Sequence, residues 1–456
     1  MKKIISLLLA VLFIFGLYYI IDNTELNEKV LFSSNEATVT VERYENRKFE
    51  SVKNFDEIAF KYNDVVAELK KGFAKHSEEI DIYSYKVSVE ELNAIVEYLC
   101  VNNGYYYVEN GYTYYEDGKY VRKICPSYIM SSEEVLKNNA EIDKVINDVA
   151  QKAAAFKTDI EKLIYVHDYI VDNITYDEGN LKNNNIYGAL VLKDSMCMGY
   201  AEAFSAIANK LGYKTYVVSS EALEHAWNMV LLDGCYYFVD CTWDDPVFSE
   251  MYLSTDPVSG FGCYDYFMCS EKMLYSGNHQ ADDWEINGTN IAGTAVSELY
   301  DEFFWRGFGS LMRYSDGSWF HDYGYSDKNV NAVRDVKFSI DRIEFVSNTS
   351  CEIKIVRTIN ACWKTATQFY LCFESTLQSY NGSVYYMKED GIYKLADGGR
   401  FNGKDDILIF KNTTDDNIFD FDIDEARGTF KVVYGSTDEY TEKNASEIDY
   451  KIADYF

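Results

Sequence analysis

The sequence predicts an α+β protein whose helices and short hairpins lie in the first two thirds of the chain and whose last third is rich in strands. Pairs of Ser or Thr and Glu, three residues apart, precede segments of helical spacing in the first two thirds. Short alternating segments, separated by Asn-Gly, Asp-Gly and Gly-Gly pairs, fill the chain beyond about residue 290. Because 456 residues exceed what one ordinary core accommodates, we expect several domains.

The chain begins with a lysine pair and an apolar run from Ile4 to Ile21. As a helix rising about 1.5 Å per residue, this run is roughly 27 Å long, close to the ~30 Å hydrocarbon core of a bilayer. We interpret residues 1–32 as a signal anchor or a cleaved signal peptide. Residues 22–25 offer no small-x-small cleavage site, which favours the anchor. In both cases the remainder is exported, so we expect a membrane-anchored cell-surface protein or a secreted one.

The net charge of the chain is strongly negative. It is −31 at pH 7, from 74 acidic and 43 basic residues. Such a charge repels phosphate backbones and anionic lipid surfaces. The sequence therefore predicts no nucleic-acid partner, and it predicts contact with a membrane through the N-terminal segment. It specifies no oligomeric state.

The region after the anchor has the pattern of a small α+β domain, which we place at residues 33–131. Apolar residues recur at helical spacing over 53–73, and Ser88 with Glu91 forms a capping-box pattern before a second helix. The aromatic runs that follow are separated by an Asn-Gly and an Asp-Gly pair, which is a strong hairpin signal.

The middle of the chain continues with helices. Capping-box patterns at Ser131 with Glu134 and at Thr158 with Glu161 predict the first residues of two of them. His167 falls on the apolar face of the second helix, so we interpret it as a core histidine rather than a catalytic one.

A third helix is predicted within SMCMGYAEAFSAIANKLGY, residues 195–213. Its apolar residues have helical spacing, and Gly212 stands where a left-handed residue would end it. Cys197 then lies in the first turn. Unpaired backbone N–H groups and the helix dipole favour an anion there, so a thiol in this place is predisposed to form the reactive thiolate.

A hairpin predicted downstream brings a histidine and an acid together. Asp233-Gly234 separates two strand-like segments and suits a two-residue loop. Pairing outward from that loop places Asp240 opposite Trp227. Since side chains two residues apart share a face, His225 and Asp240 become diagonal neighbours within reach of a hydrogen bond. A slip of one residue would place them on opposite faces.

These three side chains suit acyl transfer. Cys197 would attack a carbonyl carbon as the thiolate, and His225 would accept the thiol proton and later deliver it to the leaving amine. Asp240 would hold the imidazole in the correct tautomer and stabilise its charged form. The backbone N–H of Cys197 is a natural donor to the oxyanion.

The segments MCMGYAEAFSAIANKLG, HAWNMV and YYFVDCTWDDP resemble the transglutaminase-like superfamily of papain-type thiol enzymes, in particular its bacterial exported branch. The resemblance covers roughly residues 132–288, and we place the domain at 132–289. It implies a papain-like core, and by motif match it gives Cys197, His225 and Asp240 the roles of nucleophile, base and orienting acid. It leaves the reaction open, because relatives include protein cross-linkers, peptidases, deglycosylating amidases and inactive members.

The resemblance also bears on the oxyanion hole. The segments HDYIVDNITYD and YGALVLKDSMC resemble those that precede the cysteine in this branch, where a polar side chain often completes the hole. Tyr187 is our candidate for that role.

Three aromatic residues are candidates for a substrate cleft: Tyr200, Trp227 and Trp243. Aromatic residues beside a catalytic sheet more often serve packing, and we favour that alternative for them. Adjacent Asp244 and Asp245 form a poor calcium cage and suit a turn better. No cysteine and histidine cluster has zinc spacing, so the sequence predicts neither a metal nor another cofactor.

We predict a β-rich C-terminal domain at residues 290–456, as a sandwich or a barrel. Its tyrosine-rich strands suit either an ordinary core, which we favour, or a sugar- or peptide-binding face. For the whole chain we predict an exported transglutaminase-like cysteine enzyme that performs acyl transfer or amide hydrolysis on surface proteins or cell-wall peptides. The alternative is a catalytically inactive surface binding or scaffold protein with the same fold.

Overall fold

The structure is a computed structural model of the chain. It describes residues 38–42, 55, 61–102, 104–109, 111–245, 264–277, 279–303, 305, 311–313, 317–326, 336–360, 377–388, 390–396, 406–424, 427–435 and 445–456. The predicted anchor at residues 1–32 lies outside this set. None of the helices that the described residues form has the length and apolar character needed to span a bilayer.

The α-helices, in chain order, are α1 (Asn63–Ala74), α2 (Val89–Asn102), α3 (Ser132–Ala153), α4 (Asp159–Asn173), α5 (Cys197–Lys210) and α6 (Glu271–Ser276). The strands up to residue 290 are β1 (Thr38–Glu42), β2 (Ile80–Asp81), β3 (Thr113–Glu116), β4 (Val121–Cys125), β5 (Thr175–Tyr176), β6 (Asp194–Ser195), β7 (Lys214–Ser220), β8 (His225–Leu232), β9 (Cys235–Val239), β10 (Phe267–Cys269), β11 (Glu285–Ile286) and β12 (Thr289–Asn290). The later strands are β13 (Leu311–Arg313), β14 (Trp319–Ser326), β15 (Val336–Ser347), β16 (Ser350–Asn360), β17 (Leu377–Tyr380), β18 (Ser383–Lys388), β19 (Gly391–Lys394), β20 (Ile407–Lys411), β21 (Asn417–Asp424), β22 (Thr429–Gly435) and β23 (Ala445–Lys451).

The chain forms two compact units. The core unit comprises residues 45–245 and 266–302, and the strand-rich unit comprises residues 1–44, 246–265 and 303–456. The predicted boundaries after residues 131 and 289 stay predictions. The regions predicted as a small α+β domain and as a transglutaminase-like domain both contribute to the core unit.

Local sequence signals account for the ends of the helices in the core unit. Ser88, Ser131 and Thr158 accept hydrogen bonds from backbone N–H groups three residues on, and the Glu residue there bonds back to each cap, so all three predicted capping boxes are confirmed. Gly212 has a φ of 98°, which confirms the left-handed residue predicted after α5.

A six-stranded sheet, in the order β10-β9-β8-β7-β11-β12, forms the centre of the core unit. Helix α5 packs on β7 and β8, and α3 and α4 pack on α5. The two faces of β8 differ, as a strand between two layers requires. Ala226 faces Cys197 of the helix, whereas Trp227 and Met229 join the apolar cluster on the other face.

The strand-rich unit confirms the predicted β-rich C-terminal region. Its sheets are five-stranded (β1-β16-β15-β14-β13), four-stranded (β17-β18-β19-β20) and three-stranded (β21-β22-β23), and they share one apolar cluster. Tyr385, Tyr386 and Tyr434 are buried in that cluster, which agrees with the favoured packing role for tyrosines of this region.

Candidate active site

Cys197 is the first residue of α5 and lies at the positive end of the helix, as predicted. Met196, the residue before it, is extended, and the Cys197 side chain is 8 % exposed. The Cys197 side chain packs beside Val217 and Ala226, and it lies close enough to the imidazole of His225 to raise the pKa of that ring. The sulfur is thus shielded by the sheet while it keeps its predicted partner.

The segment before Cys197 is held by the short parallel pair of β5 and β6 and by polar side chains. Asn180 and Asn183 donate hydrogen bonds to Asp194, and Ser195 donates to the carbonyl of Asn183. A Cβ atom at Gly199 would overlap the Ser195 side chain, so the first turn of α5 can approach this segment only with glycine there. These contacts define where the helix begins and therefore where the sulfur lies.

The β8–β9 hairpin has the predicted register. Asp233 and Gly234 have φ values of 50° and 82°, and Leu232 pairs with Cys235 across this two-residue loop. The pairing ends at Val239, and Asp240 follows at the end of the ribbon.

Asp240 and His225 form the predicted pair. The Nε2 atom of His225 donates to Oδ2 of Asp240 at 2.6 Å. This bond leaves Nδ1 of the same ring for Cys197. The three predicted catalytic side chains therefore form one connected chain from sulfur to carboxylate.

The electrostatics of this chain favour separated charges. Burial lowers the pKa of His225, but Asp240 and Cys197 raise it to about 10. Burial raises the pKa of the Asp240 carboxyl, but His225 and His279 outweigh that effect and hold it below its usual range. At neutral pH the imidazole is consequently protonated beside an ionised carboxylate.

His279 is a member of this cluster that the sequence analysis did not find. Its Nε2 atom donates to the same Oδ2 of Asp240 at 2.8 Å, and its side chain is 1 % exposed. The other oxygen, Oδ1, accepts the backbone N–H groups of Thr242 and Trp243. His279 lies 39 residues after Asp240, outside any segment with a recognisable motif, and its rarity as one of five histidines was the available signal.

The cluster could in principle hold a metal ion, because the ligand atoms of His225, Asp240 and His279 lie within 4.8 Å of one another. Two ligands of one zinc ion, each about 2.1 Å from it, would be separated by roughly 3.3 Å. The distances from Oδ2 to the two Nε2 atoms are 2.6 and 2.8 Å, which are hydrogen-bond lengths. We therefore assign the cluster as hydrogen-bonded side chains, and no metal is assigned to it.

Tyr176 is a second residue near the sulfur that the sequence analysis did not assign. It is the last residue of β5, pairs with Ser195 of β6, and packs its ring against Tyr200, with 6.3 Å between ring centroids. Burial raises the pKa of Tyr176 to about 12, and the charges of Cys197, Glu178 and Asp240 add to that increase. The motif segment HDYIVDNITYD contains this tyrosine and was the signal that could have identified it.

Tyr187, the predicted oxyanion candidate, lies elsewhere in the same loop region. Its hydroxyl donates to Oε2 of Glu141 on α3 at 3.2 Å, and its backbone N–H bonds to Asn185. Its role in an oxyanion hole stays a prediction.

The three cleft candidates have different surroundings. Tyr200 and Trp227 are each 1 % exposed, so the favoured packing alternative describes them better than a cleft lining does. Trp227 stacks on the ring of His225, with 5.6 Å between centroids, and Tyr200 donates to Oδ2 of Asp245 at 2.6 Å. Trp243 is half-buried with its ring edge towards His225, and it remains a candidate for the cleft.

His167 has the environment of a core histidine. It is fully buried between Oδ1 of Asp168 at 3.0 Å and Oδ2 of Asp244 at 3.1 Å. Burial lowers the pKa of His167, but the two carboxylates raise it to about 9. Asp244 also accepts the backbone N–H of Tyr266, as expected for a carboxylate that organises a turn.

Comparison with known protein families gives one match. The model of the transglutaminase-like superfamily matches residues 147–241, a segment that includes Cys197, His225 and Asp240. No curated protein matches the chain.

Among solved structures, the chain is similar to a candidate cysteine protease from Cytophaga hutchinsonii. The identity is 17 %, the TM-score is 0.20, and the match covers 22 % of this chain and 37 % of that one. It is also similar to a TGase, with 12 % identity, a TM-score of 0.23, and coverage of 49 % and 55 %. A third is menin, whose structure reveals a binding site for the Mixed Lineage Leukemia protein, with 13 % identity, a TM-score of 0.21, and coverage of 51 % and 50 %. The chain spans about half the length, or less, of these proteins.

Proposed function

We propose that the transglutaminase-like domain at residues 147–241 is a thiol acyltransferase or amide hydrolase, with Cys197 as nucleophile, His225 as acid and base, and Asp240 as orienting carboxylate. One observation carries the proposal: His225 bonds to Asp240 at 2.6 Å, and Cys197 lies close enough to raise the pKa of the same imidazole. This arrangement meets the geometric requirement for an activated nucleophile with an oriented base.

In the first half of the reaction, the Cys197 sulfur attacks the carbonyl carbon of an amide and the carbonyl oxygen becomes an oxyanion. The backbone N–H of Cys197, unpaired at the start of α5, donates to that oxygen. The C–N bond then breaks, and the leaving amine takes the proton from the His225 imidazolium. The products are a free amine and a thioester on Cys197.

In the second half, a water molecule or an amine attacks the thioester carbonyl and gives a proton to His225. The C–S bond breaks, and Cys197 leaves as the thiolate beside the imidazolium. Water as acceptor makes the enzyme a hydrolase, and a second amine makes it a transferase. Both outcomes use the same three side chains.

A second donor to the oxyanion completes the proposal. The hydroxyl of Tyr176 lies close enough to Cys197 and Asp240 for their charges to affect its ionisation, and β5 holds it beside the segment that leads into α5. We assign it to the oxyanion hole with the Cys197 N–H. Tyr187 is the competing candidate.

The proposed substrates are amide bonds of proteins or peptides, the substrate class that the superfamily match supports. Export extends this proposal to surface proteins and cell-wall peptides. It is supported by the lysine pair and the apolar run from Ile4 to Ile21, and by the acidic charge that disfavours nucleic acid.

The test is alkylation of the full chain by an iodoacetamide probe near pH 7. We expect strong labelling that Cys197→Ala abolishes, because a thiolate reacts and an ordinary thiol is mostly protonated at this pH. Cys235→Ala is the control. Cys235 is also free, lies in the hairpin and is more exposed than the buried Cys197, and its replacement should leave the labelling unchanged. Equal labelling of wild type and Cys197→Ala would contradict the proposal and favour the inactive binding protein.

A further inference from the structure

The carboxylate of Asp240 has an unusual set of partners for an orienting acid. Its Oδ1 atom accepts two backbone N–H groups, and its Oδ2 atom accepts Nε2–H groups from two imidazoles, His225 at 2.6 Å and His279 at 2.8 Å. Asp240 is fully buried, so water cannot supply any of these bonds. The two imidazoles must therefore share the charge on one oxygen.

The position of the proton on His279 follows from its contacts. Because Oδ2 is an acceptor, Nε2 of His279 must carry the hydrogen. Its Nδ1 atom is buried and has no hydrogen-bond partner among the residues that the structure describes. The rings of Trp227, Trp243 and Tyr266 pack around the His279 imidazole, with 5.3, 5.5 and 5.4 Å between ring centroids. A second proton on Nδ1 would be an unsatisfied buried donor, which is costly.

We propose that His279 is a positioning residue of this active site, which acts on His225 by sharing the Oδ2 oxygen of Asp240. This inference rests on the proposed function. The hydrogen bond from His279 partly neutralises the negative charge on Oδ2 of Asp240. Asp240 therefore attracts the proton of His225 less strongly. His225 can then release its proton to the leaving amine more readily than it could if His279 made no bond to Asp240.

The other titratable groups near this cluster do not obscure the titration of His225. Cys197 faces it from α5, Tyr176 from β5, and Cys241 from the turn after Asp240. The pKa of Tyr176 is about 12 and that of Cys241 is well above its usual range, so both stay neutral while His225 titrates. Tyr266, whose ring lies 5.4 Å from that of His279, donates its hydroxyl to the carbonyl of Gly277. Replacing Cys197 by Ala removes the thiol.

The decisive experiment is therefore an NMR titration of the His225 ring in the full chain carrying Cys197→Ala. His279→Leu removes the donor, and His279→Gln restores an N–H group at a similar distance. His76→Leu is the matched control, because His76 stacks on Tyr128, with 4.4 Å between centroids, and has no described contact with Asp240. Assignment uses the loss of each histidine signal in its own variant.

We expect His279→Leu to raise the titration midpoint of His225 by about one pH unit. His279→Gln and His76→Leu should leave it within a few tenths of a unit. A midpoint that does not move or that falls in His279→Leu, with the chain still folded, would overturn the inference. Failure of Gln to restore the midpoint would overturn it too.

A second measurement uses the chain with Cys197 present. The NMR midpoint of His225 in that chain should move upward in His279→Leu by about the same amount as in the chain with Cys197→Ala. The titration does not need a reactive thiol. An unreactive Cys197 would refute the proposed function, whereas the NMR result alone decides the role of His279.

Discussion

Replacement of Asp240 by Asn tests the electrostatics of the active site most directly. The change keeps the size of the side chain and one acceptor oxygen, and it removes the negative charge that faces His225 at 2.6 Å. Asp240 is fully buried and the His225 side chain is only 10 % exposed, so solvent screens this charge weakly. The prediction therefore depends on one charge in a defined place.

The magnitude follows from the surroundings of His225. Its pKa of about 10 lies well above the ordinary value of 6.5, although burial, the largest influence, acts to lower it. Without the carboxylate, burial is opposed chiefly by Cys197, and we expect the pKa to fall by about 4 units, to near 6, or roughly 5 kcal/mol. His225 in Asp240→Asn is then mostly neutral at pH 7.

The assay is the pH dependence of Cys197 alkylation in the full chain. Wild type should react fast and at a nearly constant rate from neutral pH upward, because the His225 imidazolium persists to about pH 10 and an ordinary thiol is ionised by then. In Asp240→Asn the plateau should disappear, and the rate at pH 7 should fall about 30-fold, because an ordinary thiol is only a few per cent thiolate at that pH.

The same charge affects stability. A pKa raised in the folded state contributes stability that is complete below about pH 6.5 and is lost as the pH rises towards 10. Asp240→Asn should lack this alkaline loss. The matched control is Asp233→Asn, which removes the same charge at the exposed loop of the hairpin and keeps a residue that tolerates positive φ. An alkylation rate of Asp240→Asn at pH 7 equal to that of wild type would refute the reasoning.

Two further predictions concern the oxyanion hole and a buried acid. Tyr176→Phe should slow acylation of Cys197 by p-nitrophenyl acetate about 100-fold and leave alkylation unchanged, because alkylation forms no oxyanion; a loss in Tyr187→Phe instead would transfer the role to Tyr187. Burial raises the pKa of Glu202 to about 8, although the backbone bond from Ile186 opposes this. Ionisation of Glu202 therefore destabilises the folded state increasingly as the pH rises from 4.5 to 8. Glu202→Gln should stabilise the protein by on the order of 3 kcal/mol at pH 8 and little near pH 4.5. Urea unfolding at both pH values measures the difference, and parallel curves for the two proteins would contradict it.

The pair of His225 and Asp240 was predictable because every step towards it is local. A two-residue loop at Asp233-Gly234 determines the register, and the alternation of side chains determines the face. Cys197 at the start of α5 was predictable for a similar reason, since apolar spacing and Gly212 define the helix within a few turns.

His279 and Tyr176 were not predictable by the same means. His279 reaches Asp240 from 39 residues away, and its ring packs against Trp227 and Tyr266, contacts that no local pattern predicts. Tyr176 approaches Cys197 because two-residue strands pair in parallel, and strands this short leave no periodic signal. The cleft candidates Tyr200 and Trp227 were likewise ambiguous, because an aromatic residue next to a site has the same pattern whether it faces solvent or the core.

The sequence by itself determined the helix that carries Cys197, the hairpin that joins His225 to Asp240, and the strand-rich character of the last third, since each depends on neighbours within about twenty residues. Only the tertiary structure decided that the sulfur meets His225 and that a second imidazole shares Asp240. Those contacts join segments that are far apart in the chain. Their geometry depends on side-chain packing, which the pattern of residues along the sequence does not specify.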